Sequence, residues 1–191
     1  MCDGYAGFAM SHRLPWQRII IASGVCLTMY AATLAAEDDF TRLKVSRAGE
    51  GTPVPAFELT TINGKTVELT SLRGKVIVLN FWATWCGPCK EEMPALDRLS
   101  RRFDPADVAV LTITAEHEDT RIKQFMNQLN SSLPVLLDTQ RDVATALMVR
   151  GLPTTIFVAK NGTVVGRAVG PREWDGADAV SFIERLRDGA R

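Results

Sequence analysis

The chain reads as an α/β sandwich, and three features of its pattern predict it. Two nearly unbroken apolar runs, residues 76–82 (VIVLNFW) and 108–114 (VAVLTIT), have the composition of strands buried on both faces. Helical spacing stands between them: Cys89, Met93, Leu96, Leu99 or Ser100, and Phe103 recur at intervals of three and four. The chain then closes on a hairpin and a helix, and strands alternating with helices in this order pack as layers around a sheet.

Taken in order from Pro53, residues 57–60 and 66–69 flank Asn63-Gly64, a short hairpin signal. Residues 71–74 (SLRG) predict a turn into the 76–82 strand. A helix is expected from Cys86, with Pro94 kinking its second turn. The strand at 108–114 precedes a helix over 119–130, a short strand at 135–137 and a helix over 142–148. Residues 154–158 and 163–168 form a hairpin across Asn161-Gly162. Asp175 is expected to cap the last helix, with Asp178 three residues on in the capping-box position.

At 191 residues the chain is long enough for one well-cored domain and short for two. Lys plus Arg equals Asp plus Glu at 22 each, so no basic excess exists to hold a nucleic-acid backbone. Arg13 and Arg18 precede the uncharged residues 19–36, and Glu37, Asp38 and Asp39 follow. A basic flank, an apolar core and a small-residue end predict a secretory signal, cleaved after Thr33-Leu34-Ala35. At 18 residues the stretch is also at the lower limit for spanning a bilayer, so a retained inner-membrane anchor stays open. Either outcome leaves the body facing the periplasm. The expected division is therefore 1–36 signal or anchor, 37–52 polar linker and 53–191 domain, with Met1 and Met10 both open as the start.

Only Cys86 and Cys89 lie in the body, which rules out a disulfide-stapled scaffold. A C-x-x-C at a helix start sets Cys86 among free amide N–H groups at the positive end of the macrodipole. That favours thiolate and lowers the pKa from about 8.5. Cys89, one turn on, is close enough to resolve a mixed disulfide, and Pro88 suits the first turn. A structural disulfide over so short a loop contributes only about 2 kcal/mol. Zinc needs four ligands, and the body offers two thiols and His117. Cu(I), which two thiolates suit, is the alternative that stays open, with His117 as an added ligand or, within residues 115–119, a solvated loop residue.

The run from Val78 to Lys90 (VLNFWATWCGPCK) resembles the active-site strand and helix of the thioredoxin superfamily. With Glu92-Met93-Pro94, the leading hairpin and the exported N-terminus, it resembles the TlpA branch and its relatives ResA and CcmG; the tail Gly170-Pro171-Arg172-Glu173-Trp174 is similar to that of TlpA-type members. From its residues alone, that tail is a turn with Trp174 packed under the last helix. The resemblance implies a three-layer thioredoxin-like sandwich with a mixed sheet and an N-terminal hairpin extension. It implies a protein-disulfide reductase whose redox group is the Cys86–Cys89 disulfide, with no separate cofactor. Clients would be proteins with a cysteine pair, often in cytochrome maturation, and the reductant a membrane thiol-electron transporter of the DsbD or CcdA kind. Pro153 is implied to be the cis-proline facing the dithiol, with Leu152 offering its backbone to an extended client. Trp85, Gly87, Pro88 and Leu152 are the expected client contacts, Trp85 also shielding the sulfurs, while Trp82 is expected in the core. Asn80 stands where thioredoxin proper has a buried acid. Glu92 matches a Glu that ResA-like reductases carry beside the dithiol, and partial burial should raise its pKa. The Gly-Pro spacer implies a reducing potential. A thioredoxin-fold peroxidase would need P-x-x-x-T-x-x-C, but Leu79 and Ala83 occupy the Pro and Thr positions, and Thr84 is one residue late.

Overall fold

The computed structural model describes residues 38–49, 51–117 and 119–189. Its elements are α1 (Asp39–Arg42), β1 (Ser46–Arg47), β2 (Glu58–Thr61), β3 (Thr66–Glu68), a 3-10 turn (Leu69–Leu72), β4 (Val76–Phe81) and α2 (Gly87–Arg102). They continue as β5 (Val108–Thr114), α3 (Asp119–Gln128), β6 (Val135–Leu137), α4 (Asp142–Ala146), β7 (Thr154–Val158), β8 (Val164–Val169) and α5 (Ala177–Arg187). The expected signal or anchor at 1–36 lies outside the described residues, and among those described no helix is long and apolar enough to cross a membrane.

The eight strands form one mixed sheet in the order β1-β8-β7-β4-β5-β6-β2-β3. β4 lies inside it, parallel to β5 and antiparallel to β7, and all its residues are buried. Side chains alternate across the sheet, so Val76, Val78 and Trp82 join Met93 and Leu96 of α2 and Phe182 and Ile183 of α5. Ile77, Leu79 and Phe81 meet Val143 and Ala144 of α4 on the other face. This is the predicted three-layer sandwich. The leading hairpin pairs Glu58 with Glu68 and turns through Gly64 at φ +77°, a left-handed conformation that favours glycine. It joins the sheet through β2 and β6.

Two expectations need correction. The stretch 37–52, read as a linker, is structured from Asp38 to Arg47. Asp38 Oδ1 accepts from Phe40 N at 3.1 Å and caps α1, and Phe40, Leu43 and Val45 are buried. The Phe40 ring meets Phe182 edge-on at 4.9 Å, and β1 extends the sheet beside β8. Three apolar residues among polar ones show no period, yet they suffice because Gly166 leaves room for them. A Cβ on Gly166 would lie 2.7 Å from Val45 Cγ1 and 3.0 Å from Ser46 O. The second correction concerns the last helix, whose N-cap is Gly176 with no side-chain cap. Asp175 instead accepts from Arg98 Nε at 2.6 Å, because a guanidinium on α2 is a better partner than an amide that solvent can reach.

Candidate active site

β4 delivers the chain to Cys86, which caps α2 with extended backbone angles. Its Sγ accepts from the Cys89 amide at 3.3 Å, so one of the free N–H groups of the first turn points at sulfur. The two cysteines are joined as a disulfide, with Cα atoms 5.3 Å apart. Cys86 is 6% exposed and Cys89 0%, so an incoming thiol or disulfide can reach only Cys86. Gly87 and Pro88 are exposed beside it, with Pro88 in the first turn as expected.

The sheet register brings the second half of the site to the same edge. Phe81 pairs with Thr154, so β7 begins where β4 ends. The bond Leu152–Pro153 is cis, Pro153 is buried and Leu152 partly so. Pro153 O accepts from Gly170 N at 2.9 Å, which ties this loop to the end of β8. A cleft of about 520 Å³ runs alongside, lined by Trp85, Leu152, Glu116, His117, Arg141 and Arg150. Trp85 is 74% exposed, so its indole offers an open flat surface to a client. Trp82 is the core residue expected, stacked on Phe125 at 4.9 Å.

Glu92 is buried more deeply than an edge position on the stripe suggests, at 2% exposed. Asn80 Nδ2 donates to its Oε1 at 2.8 Å and to Thr155 Oγ1 at 3.0 Å. Its Oε2 accepts from Trp174 Nε1 at 2.8 Å and from the Arg172 amide at 3.1 Å. Burial pushes the Glu92 carboxyl above its ordinary value; the bonds from Asn80, Trp174 and Arg172 and the Arg172 charge oppose this without cancelling it. Glu91, its neighbour, faces solvent.

The structure adds residues that pattern reading missed. The Glu116 carboxylate accepts from the Thr84 amide and hydroxyl, both at 2.6 Å, and so holds the loop that carries Trp85 and Cys86. Asp97 is buried in α2 and accepts from Ser132 N at 2.9 Å. Asp97 also pairs with Arg101 four residues on in α2, but the bonds that tie Glu116 to Thr84 and Asp97 to Ser132 join residues more than thirty apart and leave no local signal. His117 is exposed, and no group of three or more His, Cys, Asp or Glu side chains converges as a metal site among the described residues.

Residues 51–167 match the AhpC/TSA family. Thiol-disulfide oxidoreductase ResA of Bacillus subtilis is 34% identical, over 78% of this chain and 83% of its own length. A thiol:disulfide interchange protein of the thioredoxin family from Chlorobium tepidum superposes with a TM-score of 0.65 at 27% identity, over 73% of this chain and 99% of its own. The exposed lipoprotein thioredoxin of Streptococcus pneumoniae superposes with a TM-score of 0.59 at 29% identity, over 70% and 99%. With an accessible cysteine, a buried partner and a cis-proline at one sheet edge, the chain belongs to the AhpC/TSA family as a thiol–disulfide oxidoreductase of the ResA/DsbE type.

Proposed function

We propose that the protein reduces disulfides of client proteins on the outer face of the cytoplasmic membrane, by attack from Cys86 and resolution by Cys89. The observation that carries this reading is the unequal access of the two sulfurs at the start of α2. The Cys86 thiolate attacks one client sulfur, forming the mixed disulfide and expelling the other client sulfur as thiolate. Cys89 passes its proton to the Glu92 carboxylate and attacks Cys86 Sγ, which releases the first client sulfur. Two electrons leave the protein, the client gains two thiols, and Cys86–Cys89 becomes the disulfide. Glu92 then returns its proton to one departing thiolate, and the other takes from solvent the proton that Cys86 released on ionising. Gly87, Pro88, Trp85 and the Leu152 backbone are the contacts for an extended client segment.

The signal-like residues 1–36 and the exposed lipoprotein relative support the extracytoplasmic setting. In an oxidising compartment the disulfide must be reduced after each turn, and the DsbD or CcdA type of membrane thiol transporter has the required chemistry. The resemblance to ResA and CcmG favours cytochrome or cytochrome-oxidase precursors as clients. Replacing Cys89 by Ser blocks resolution, so Cys89→Ser should accumulate clients as mixed disulfides on Cys86, recoverable from cell envelopes under non-reducing conditions. Adducts rich in haem-attachment or copper-centre cysteine pairs would assign the client class. An empty trap would remove the client-specific reading.

A further inference from the structure

We propose that Arg172, bound to the N-terminal strap of residues 38–47, and Trp174 are positioning residues that set the pH at which Glu92 exchanges its proton. This rests on the reading of Glu92 as the proton carrier given above. One short segment after β8 supplies both donors to a single oxygen, Glu92 Oε2: the Arg172 amide at 3.1 Å and Trp174 Nε1 at 2.8 Å. Trp174 is 1% exposed and packs on Phe157 with ring centroids 5.7 Å apart, so its indole is held in register. A buried indole N–H needs some acceptor, and any carbonyl would serve. Here it is given to an ionisable group one helical turn from Cys89.

The Arg172 side chain makes no use of that carboxylate. Its guanidinium donates to main-chain oxygens: Leu43 at 2.8 Å, Lys44 at 3.3 Å, Val169 at 3.2 Å and Pro171 at 2.8 Å. It thus binds the strap to the start of the segment whose next amide reaches Glu92. The strap in turn docks where Gly166 has no side chain. The charge that bears on Glu92 is the Arg172 guanidinium from the segment after β8, β4 and β7 present the neutral Asn80 and Thr155, and Cys89, three residues earlier on α2, becomes a titrating thiol only when the disulfide is reduced. Donors to a buried carboxylate favour its ionised form, against the cost of burial. Removing one donor should therefore make Glu92 hold its proton to higher pH.

The test is the pH profile for reduction of glutathione disulfide by the full chain. The inflection that belongs to Glu92 is the one that Glu92→Gln removes. Trp174→Phe keeps a ring but loses the N–H, and should move that inflection up by about one pH unit. Arg172→Ala keeps the backbone donor but releases the clamp, and should shift it the same way by less. Arg172→Lys should fall between Arg172→Ala and the parent. In a Glu92→Gln background, Trp174→Phe should add no shift. If Trp174→Phe and Arg172→Ala both keep the parent profile while Glu92→Gln removes the inflection, the positioning role is wrong and the proton carrier stands. If Glu92→Gln leaves the inflection in place, the proton carrier fails and this inference with it. Should Trp174→Phe not fold, Arg172→Ala decides alone by the same criterion, since its side chain is partly exposed.

Discussion

Glu92 sits in a buried place prepared for a charge yet still reluctant to hold one. Three donors surround its carboxylate, and burial nevertheless raises its pKa. The folded protein binds this proton more tightly than the unfolded chain, so folding loses stability as pH rises from the free carboxyl range through the raised value. Glu92→Gln escapes that loss. Its amide oxygen can keep the Trp174 and Arg172 donors, and its NH2 can face Asn80 Oδ1, which is buried without a hydrogen-bond partner and needs only an amide turn. The variant should therefore gain on the parent in melting temperature from pH 4 to pH 8, while client reduction slows on the order of 10²-fold. Glu91→Gln should match the parent in both. If Glu92→Gln instead loses ground as pH rises, the ionised carboxylate stabilises the fold. Glu92 itself was legible because it stands at i+3 from Cys89 in a recognisable run. The tail carrying Arg172 and Trp174 stood out by resemblance, but its hold on Glu92 did not, since the partners are 80 and 82 residues away and no local period links them.

Among elements, legibility follows burial on two faces. β4 and β5 are apolar almost throughout, and their bounds came out within a residue of the sequence expectation. The helix after Cys86 was readable from its stripe and from Pro88, while the burial of Asp97 on the same face was not, because Ser131 and Ser132 reach it from the loop after α3 and its pair with Arg101 four residues on reads as an ordinary helix-surface charge pair. The strap shows the opposite case: α1 and β1 total six residues, too few for a period, and only the bare backbone of Gly166 makes their docking intelligible. This gives an element-level prediction. Gly166→Val puts a branched side chain against Val45 and the Ser46 carbonyl, and overpacking of this kind costs about 1–3 kcal/mol. A lower melting temperature and faster tryptic cleavage at Arg42, Lys44 and Arg47 should result, with the Cys86–Cys89 disulfide still formed. Unchanged cleavage would show that the strap can shift without leaving the sheet.

At the scale of the molecule, the arrangement determines how readily the dithiol gives up electrons. A dithiol becomes oxidising when its reduced form is stabilised, as when a strongly favoured thiolate accumulates. Two influences oppose each other here. The start of α2 and the Cys89 amide favour a thiolate on Cys86. Against them, Cys89 is wholly buried, which disfavours its thiolate, and the Glu92 charge one turn away repels negative sulfur. Its net formal charge of zero adds no general positive field to tip the balance. The reduced form is then only modestly stabilised, so the potential should lie nearer ~−270 mV than ~−120 mV. Equilibration with a thiol–disulfide buffer at pH 7, read by alkylation and mass shift, measures it. Glu92→Gln removes the repelling charge and should make the protein more oxidising, whereas Glu91→Gln, out in solvent, should not. A potential near ~−120 mV would mean that the helix start outweighs burial and Glu92, and the protein would then take electrons from clients rather than supply them.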